Sequence, residues 1–365
     1  MFRFLLFPLS VLYGLVVSLR NTLFDFQVLK THHFDIPIIS IGNITVGGTG
    51  KTPHVEYLAQ LLKKSYKVAV LSRGYKRKSK GFVIAERNPN TKDVGDEPAQ
   101  IKYKFPEIEV AVNADRVKGV EILMTRKNDL VILDDAFQHR YVKPGLSILL
   151  IDFNRRIDKS YLLPFGNLRE NASEMRRADI IVVTKTPTEI KPIDRRLIYE
   201  QINPFPFQEL YFTSFNYGKL QPVYNNSNKI LDDFYSNHEV YSILVVTGIA
   251  FSKPFIDYLT LLSDDIIHIE LADHSSYSIG KLSKISNTFK ALDNDKKIII
   301  TTEKDAIKLR EFKNVDETLS QSMFFIPVEV SFIDNENEFN NQILEYVRKN
   351  KRNNTIHSEA NNISA

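Results

Sequence analysis

An apolar run at residues 36–41 leads through Gly42 and Asn43 into Thr45-Val46-Gly47-Gly48-Thr49-Gly50-Lys51-Thr52, and a helix-forming stretch follows. A strand, a glycine-rich loop and a helix in that order make a cradle for phosphate, and they commit the surrounding chain to an α/β architecture. Gly47, Gly48 and Gly50 let backbone N–H groups turn inward around phosphate oxygens, and the helix N-terminus adds partial positive charge. Lys51 is expected to reach the β- and γ-phosphates of ATP, and the Thr52 hydroxyl to ligate Mg²⁺. One position departs from the G-x-x-x-x-G-K-[ST] pattern: Thr45 stands where the first glycine is usual. Pro53 follows directly, which is acceptable early in a helix because its missing N–H would be unpaired there. A chance glycine-rich turn is the rival reading.

The rest of the chain agrees with this start. Short apolar runs at 36–41, 68–72, 130–133, 146–151 and 180–184 alternate with helical stretches at 55–64, 97–104 and 115–126, the last with Asn113 as its expected cap. Runs apolar throughout belong to strands covered on both faces. The expected fold is therefore a P-loop NTPase-like, doubly wound, mostly parallel sheet over 22–215. A change of texture to Pro, Asn, Tyr and Gly around 203–229 reads as a linker or a pair of connecting strands. A second, smaller α/β domain with its hinge strands is expected over 216–348, with strands at 241–247, 266–271, 297–302 and 324–328 and a final helix at 336–348. The polar tail 349–365 reads as disordered.

Phosphate transfer needs acids as well. The apolar run 130–133 ends in Asp134-Asp135, a candidate metal-binding pair. Adjacent strand residues point to opposite faces, so both acids can face one ion only if the strand stops at Asp134. The bland alternative is a strand-end acid capping a turn. Arg169 and Glu170 form a further candidate pair, the first for phosphate charge and the second for the metal shell. The chain has no cysteine, and its eight histidines show no HExxH spacing, so a metal would bind through oxygen, which favours Mg²⁺. Lys plus Arg number 48 against 44 Asp plus Glu, a net charge of +4, too small to argue for nucleic acid.

Residues 4–19, between Arg3 and Arg20, are the one strongly apolar stretch. Its 16 residues fall short of the roughly 20 a spanning helix needs, so an uncleaved helix over 1–21 lying in one leaflet is expected rather than a full span. A buried core helix and a cleaved signal are the rivals, and no small-x-small cleavage site follows. Arg73, Lys76, Arg77, Lys78 and Lys80 crowd five cations into eight residues, suited to anionic headgroups or a substrate phosphate, or else to a solvated hairpin.

With these pieces in order, the chain resembles the tetraacyldisaccharide 4′-kinase family, the lipid A 4′-kinases of Gram-negative bacteria, over nearly its whole length. The resemblance rests on Ser40-Ile41-Gly42-Asn43 entering the loop, Leu71-Ser72-Arg73-Gly74-Tyr75, Val94-Gly95-Asp96-Glu97-Pro98, Asp134-Asp135-Ala136-Phe137-Gln138-His139, Leu168-Arg169-Glu170, Ala272-Asp273-His274 and Thr302-Glu303-Lys304-Asp305. It departs at Ala136, where glycine is common, and at Phe165 and Asn167, where a smaller residue and a proline are usual. The resemblance implies transfer of the ATP γ-phosphoryl group to the 4′-hydroxyl of a tetraacyldisaccharide 1-phosphate, giving lipid IVA at the cytoplasmic face of the bacterial inner membrane. It implies Asp96 acting with His274 on the acceptor proton, and Arg73, Lys76, Arg77, Arg116, Gln138, His139 and Arg169 as substrate or phosphate contacts. From the residues alone, Asp96 reads as a helix cap. A monomer working on a lipid disaccharide at the membrane, without nucleic acid, is expected.

Two other classes share the loop. A membrane-associated GTPase switch would need a guanine-reading Asn-Lys-x-Asp, and only Val183-Thr184-Lys185-Thr186 falls at a suitable strand end. A dethiobiotin-synthetase-like ligase would have no use for the apolar N-terminus.

Overall fold

The computed structural model describes residues 2–155, 157, 160–224, 228–273 and 275–363. In chain order the strands are β1 (Ile38–Gly42), β2 (Val68–Ser72), β3 (Val83–Ile84), β4 (Glu109–Val112), β5 (Leu130–Asp134), β6 (Leu146–Asp152) and β7 (Ile180–Thr184). There follow β8 (Glu209–Tyr217), β9 (Gln221–Pro222), β10 (Ser242–Thr247), β11 (Ile266–Glu270), β12 (Lys297–Thr302), β13 (Met323–Ile326) and β14 (Val328–Phe332). They build two sheets, ordered β14-β8-β7-β6-β1-β5-β2-β4-β3 and β11-β10-β12-β13-β9.

The central strands β1, β2, β5, β6 and β7 are buried along their whole length and pair in parallel, as continuous apolar runs require. β1 lies between β5 and β6, so the phosphate loop leaves the sheet at its centre, at the strands' carboxyl ends, where open α/β sheets bind ligands. The helix Lys51–Leu62 then turns back along one face, burying Val55, Leu58, Ala59 and Leu62.

Of the two readings of 203–229 the pair of connecting strands holds: β8 extends the first sheet beside β7, and β9 pairs antiparallel with β13 in the second. Two boundaries differ from the sequence reading. The single strand expected at 324–328 is two, split at Pro327, and β14 crosses back to pair antiparallel with β8. Proline has no N–H for a ladder, so the chain changes sheets there. The last strand and last helix expected in the second unit thus return to the first, where Phe339, Ile343 and Val347 join its core. That helix runs Glu336–Ile363, through residues whose polarity reads as a disordered tail. Adding residues to an existing helix avoids the nucleation cost that such a segment would face alone.

The N-terminal helix Phe7–Asp25 buries Ser10, Gly14, Asn21 and Phe24, spaced to share one face. Outward along it and the preceding helical turn Phe2–Leu6 stand apolar residues: Phe4, Leu5, Leu12, Leu15, Val16 and Leu19 are each about 60–75% exposed. The polar side faces protein and the greasy side faces out, the reverse of a soluble amphipathic helix. Helical structure over Phe4–Asp25 is 22 residues, longer than the 16 read from sequence, and by length and composition alone enough to cross a membrane.

Candidate active site

The phosphate loop is shaped by two devices. Gly50 caps the following helix at φ 85, a left-handed conformation that disfavours any side chain, and that is what turns Lys51 inward. Thr45, at the position of the absent first glycine, is instead extended and bridged antiparallel to Leu168, so glycine is not needed there. Val46 N–H donates to the Asn167 carbonyl at 2.8 Å and Arg169 N–H to the Ile44 carbonyl at 2.7 Å, laying the segment 163–170 along the loop. Asn43 Nδ2 donates to Thr49 Oγ1 at 2.7 Å, and Thr184 Oγ1 to the Thr49 carbonyl at 2.9 Å, so fully buried Thr49 is fixed from both sides.

The acids meet this loop. β5 ends at Asp134, and Asp135 takes φ 47, so the turn lets the two neighbouring carboxylates serve one site. Lys51 Nζ stands 3.7 Å from Asp135 Oδ1, and Arg169 Nη1 forks onto both Asp135 oxygens at 3.0 and 3.1 Å. Burial opposes the charge on Asp135, but Lys51 and Arg169 outweigh it and hold the carboxyl below the usual range. Asp134 behaves oppositely. Burial, with the charges of Glu97 and Asp135, pushes it up to about 7.

Both Asp134 oxygens are buried without a hydrogen bond, an expensive arrangement that a cation would relieve. Thr52, Asp134 and Asp135 are oxygen donors of the kind Mg²⁺ takes. Among the described residues no three His, Asp or Glu gather closely enough to cage a metal, so phosphate and water would fill most of its shell.

Glu170, expected in that shell, has protein partners. Its buried carboxylate pairs with Arg177, and it accepts from Asn21 Nδ2 at 3.2 Å and Gln138 Nε2 at 3.4 Å. Asn21 lies on the N-terminal helix, which also gives Tyr13 Oη to the Arg169 carbonyl at 2.9 Å, Ser10 Oγ to the Leu162 carbonyl at 2.7 Å and Arg20 Nη2 to the Gln138 carbonyl at 2.6 Å. Phe165 meets Phe4 and Phe7 at ring-centre distances of 6.0 and 5.5 Å, which gives its departure from the family pattern a packing role. The apolar helix is therefore built into the loop that carries Arg169.

Asp96 opens the helix Asp96–Lys104, after Gly95 at φ 93. The basic loop abuts this turn: a side chain on Gly95 would lie 3.0 Å from the Tyr75 carbonyl. Asp96 Oδ2 sits 3.0 Å from Lys308 Nζ of the second sheet's unit. Glu97, next in sequence, is the neighbour whose charge presses on Asp134, so this turn faces the acidic pair. His274 lies outside the described residues.

The other expected contacts divide. Arg73, Lys76, Lys78 and Lys80 are exposed. Arg77 is not a free cation: it donates to the carbonyls of Val112 (3.2 Å) and Gly81 (2.6 Å), stapling its own loop. Buried Arg116 donates to the Asn113 carbonyl at 2.9 Å and reaches the Asp134 carbonyl at 3.5 Å; desolvation lowers it to about 10 despite Asp134 beside it. The cap of its helix is Asp115 rather than Asn113, whose Oδ1 accepts from Asp115 N–H at 3.2 Å. Gln138 Nε2 donates to the Asn43 carbonyl at 2.8 Å, and desolvation with the charges of Arg116 and Arg20 drops His139 to about 4, keeping it neutral.

At the loop mouth Arg155 and Asp152 escape the sequence reading, and Lys185 enters it only within the strand-end segment 183–186. Arg155 donates to the Val46 carbonyl at 2.9 Å, and Lys185 to the Gly48 carbonyl and, at 2.7 Å, to Asp152 Oδ2. The available signal was an acid, Asp152, ending an apolar run, and Lys185 just past β7. Lys185 is thus occupied with the phosphate loop itself.

The family model described as Tetraacyldisaccharide-1-P 4′-kinase matches residues 2–348. The chain is 47% identical over 354 residues to the tetraacyldisaccharide 4′-kinase of Phocaeicola vulgatus, covering 95% of this chain and 96% of that one. It is 44% identical over 365 residues to that of Bacteroides thetaiotaomicron, covering 98% and 96%. The solved structure of LpxK from Aquifex aeolicus in complex with ATP superposes with a TM-score of 0.73 at 30% identity, covering 95% of this chain and 99% of that one. With the family model, near-full-length relatives and the fold in agreement, the chain belongs to the tetraacyldisaccharide-1-P 4′-kinase family.

Proposed function

We propose that the protein transfers the γ-phosphoryl group of ATP to the 4′-hydroxyl of a tetraacyldisaccharide 1-phosphate at the cytoplasmic face of the inner membrane. The observation that carries this reading is the joining of the phosphate loop, through Arg169 and Glu170, to a helix whose outward face is apolar. ATP phosphates lie along Gly47–Lys51, with Lys51 and Arg169 offsetting their charge. Mg²⁺, held by Thr52, Asp134 and Asp135, supplies charge neutralisation on the phosphates when bound.

The acceptor oxygen forms its bond to phosphorus as the β,γ-bridging bond breaks and ADP departs. Asp96 receives the hydroxyl proton, with His274 orienting it as the resemblance implies. Arg73, Lys76 and their exposed neighbours meet the substrate's 1-phosphate or lipid headgroups. One side of the N-terminal helix is bonded to protein along three turns, so it seats in one leaflet with its other side in acyl chains. The membrane then holds the four acyl chains, and the site needs to grip only the sugar.

The test is ATP-dependent phosphorylation of the lipid by Asp96→Asn and His274→Ala in detergent micelles. Both should lose most of kcat; wild-type rates in both would remove the pair from the reaction.

A further inference from the structure

The motif Thr302-Glu303-Lys304-Asp305 belongs to the resemblance, yet none of its residues enters the chemistry above. It opens the helix Glu303–Leu309, which packs along the helix Asp96–Lys104 and carries Lys308. We propose that Lys308 is a positioning residue for the reaction: braced by Asp305, it fixes the carboxylate of Asp96 where the acceptor hydroxyl delivers its proton. This rests on the reading of Asp96 as the proton acceptor.

Lysine is almost never buried unless its charge is met, and Lys308 is 4% exposed. Its ammonium has three donors. Around it stand Asp96 Oδ2 at 3.0 Å, the Ser275 carbonyl at 3.2 Å and Asp305 Oδ1 at 3.9 Å. Asp305 is itself locked. It is fully buried, and its Oδ2 accepts from the Gly248 N–H at 2.8 Å and from Thr302 Oγ1 at 2.7 Å. Its Oδ1 has no hydrogen-bond partner and lies on the side of Lys308, so it acts through charge.

The chain of contacts thus runs from the ends of β10 and β12, through Asp305 and Lys308, to a carboxylate on the other sheet's unit. At the far end of the same helix pair, Lys104 reaches Glu303 at 3.3 Å and Glu56 of the phosphate-loop helix at 2.6 Å. The Asp96 helix is therefore bridged at both ends to the Glu303–Leu309 helix, and at its far end also to the phosphate-loop helix. A single contact would leave its first turn able to swing; two fix both its tilt and its advance. Lys308 also places a positive charge beside a carboxylate that must be ionised to accept a proton.

The experiment compares wild type, Lys308→Met, Lys308→Arg, Asp96→Asn and Asp96→Asn/Lys308→Met for lipid phosphorylation, with ATP binding checked for each. We expect Lys308→Met to bind ATP normally and to lose kcat by on the order of 10²-fold, since a displacement of about 1 Å can cost that much. The acid limb of its pH profile should move to higher pH, because the carboxylate has lost the cation 3.0 Å away. Lys308→Arg should recover part of the rate, and the double variant should be no slower than Asp96→Asn.

A Lys308→Met protein that binds ATP but keeps the wild-type rate, or loses rate with an unmoved acid limb, overturns the inference. So does a double variant slower than Asp96→Asn by the full Lys308→Met factor. Should Lys308→Met not bind ATP, Lys308→Gln, which keeps a donor without the charge, decides by the same acid limb, which should move to higher pH; an unmoved limb overturns the inference. If Asp96→Asn keeps its rate, the assignment of Asp96 falls instead, and the two failures are told apart by that single variant.

Discussion

Replacing Glu170 by glutamine keeps the shape and removes the charge, which in the structure meets Arg177. The pair is interior: the side chains of Glu170 and Arg177 are 1% and 18% exposed. Removing one partner of a buried ion pair costs about 3–5 kcal/mol when the other charge is stranded. Here Arg177 keeps Glu174, whose Oε2 lies 2.8 Å from its Nε, and the new amide still accepts from Asn21. The expected loss is therefore smaller, about 1–3 kcal/mol, the cost of a weakened buried hydrogen-bond set. Because Asn21 and Gln138 share that set, the N-terminal helix should loosen with it. Denaturant unfolding in detergent measures the stability, and proteolysis within residues 4–25 measures the loosening. The Mg²⁺ concentration for half-maximal activity should stay near wild type. Unchanged stability together with a raised Mg²⁺ requirement would refute this reasoning and return Glu170 to the metal.

Other consequences follow from the site. Asp134→Asn should abolish turnover yet stabilise the nucleotide-free protein above neutral pH. The folded Asp134 is raised from near 3.8 to about 7, so its contribution to stability is full below its unfolded value and lost as pH rises through about 7. Unfolding measured from pH 4 to 8 should fall less steeply in the variant; equal slopes would contradict the burial argument. Gly95→Ala, at φ 93 with the Tyr75 carbonyl 3.0 Å from the new Cβ, should cost about 1–2 kcal/mol and displace Asp96, lowering kcat more than it raises KM for ATP. Lys185→Ala should weaken ATP binding by freeing the Gly48 carbonyl, while lipid affinity stays put; calorimetry with ATP checks it.

Much of the fold was legible in the sequence, because the central strands β1, β2, β5, β6 and β7 are buried on both faces and so appear as unbroken apolar runs. Asp134 and Asp135 were readable for the same reason: the run that precedes them ends abruptly in charge. β14 was hidden because its residues are only half-buried, and nothing local distinguishes a strand that continues past Pro327 from one that changes sheets. The protein partners of Glu170 and Arg77 were not legible because a charged residue beside a site motif looks alike whether it meets a ligand or a partner 149 positions away, as Asn21 is from Glu170. Lys308 carried no signal of its own; one lysine in a basic chain becomes informative only when its burial is known.

The central claim is that phosphate leaves ATP for a lipid hydroxyl beside the membrane. Purified protein in mixed micelles, given ATP labelled at the γ-phosphate, Mg²⁺ and tetraacyldisaccharide 1-phosphate, measures it directly. The account predicts label in a lipid carrying one added phosphate at the 4′ position, almost none with Lys51→Ala, and little ATP consumption without the lipid. ATP consumption that proceeds equally without the lipid, or label transfer that survives Lys51→Ala, would contradict it.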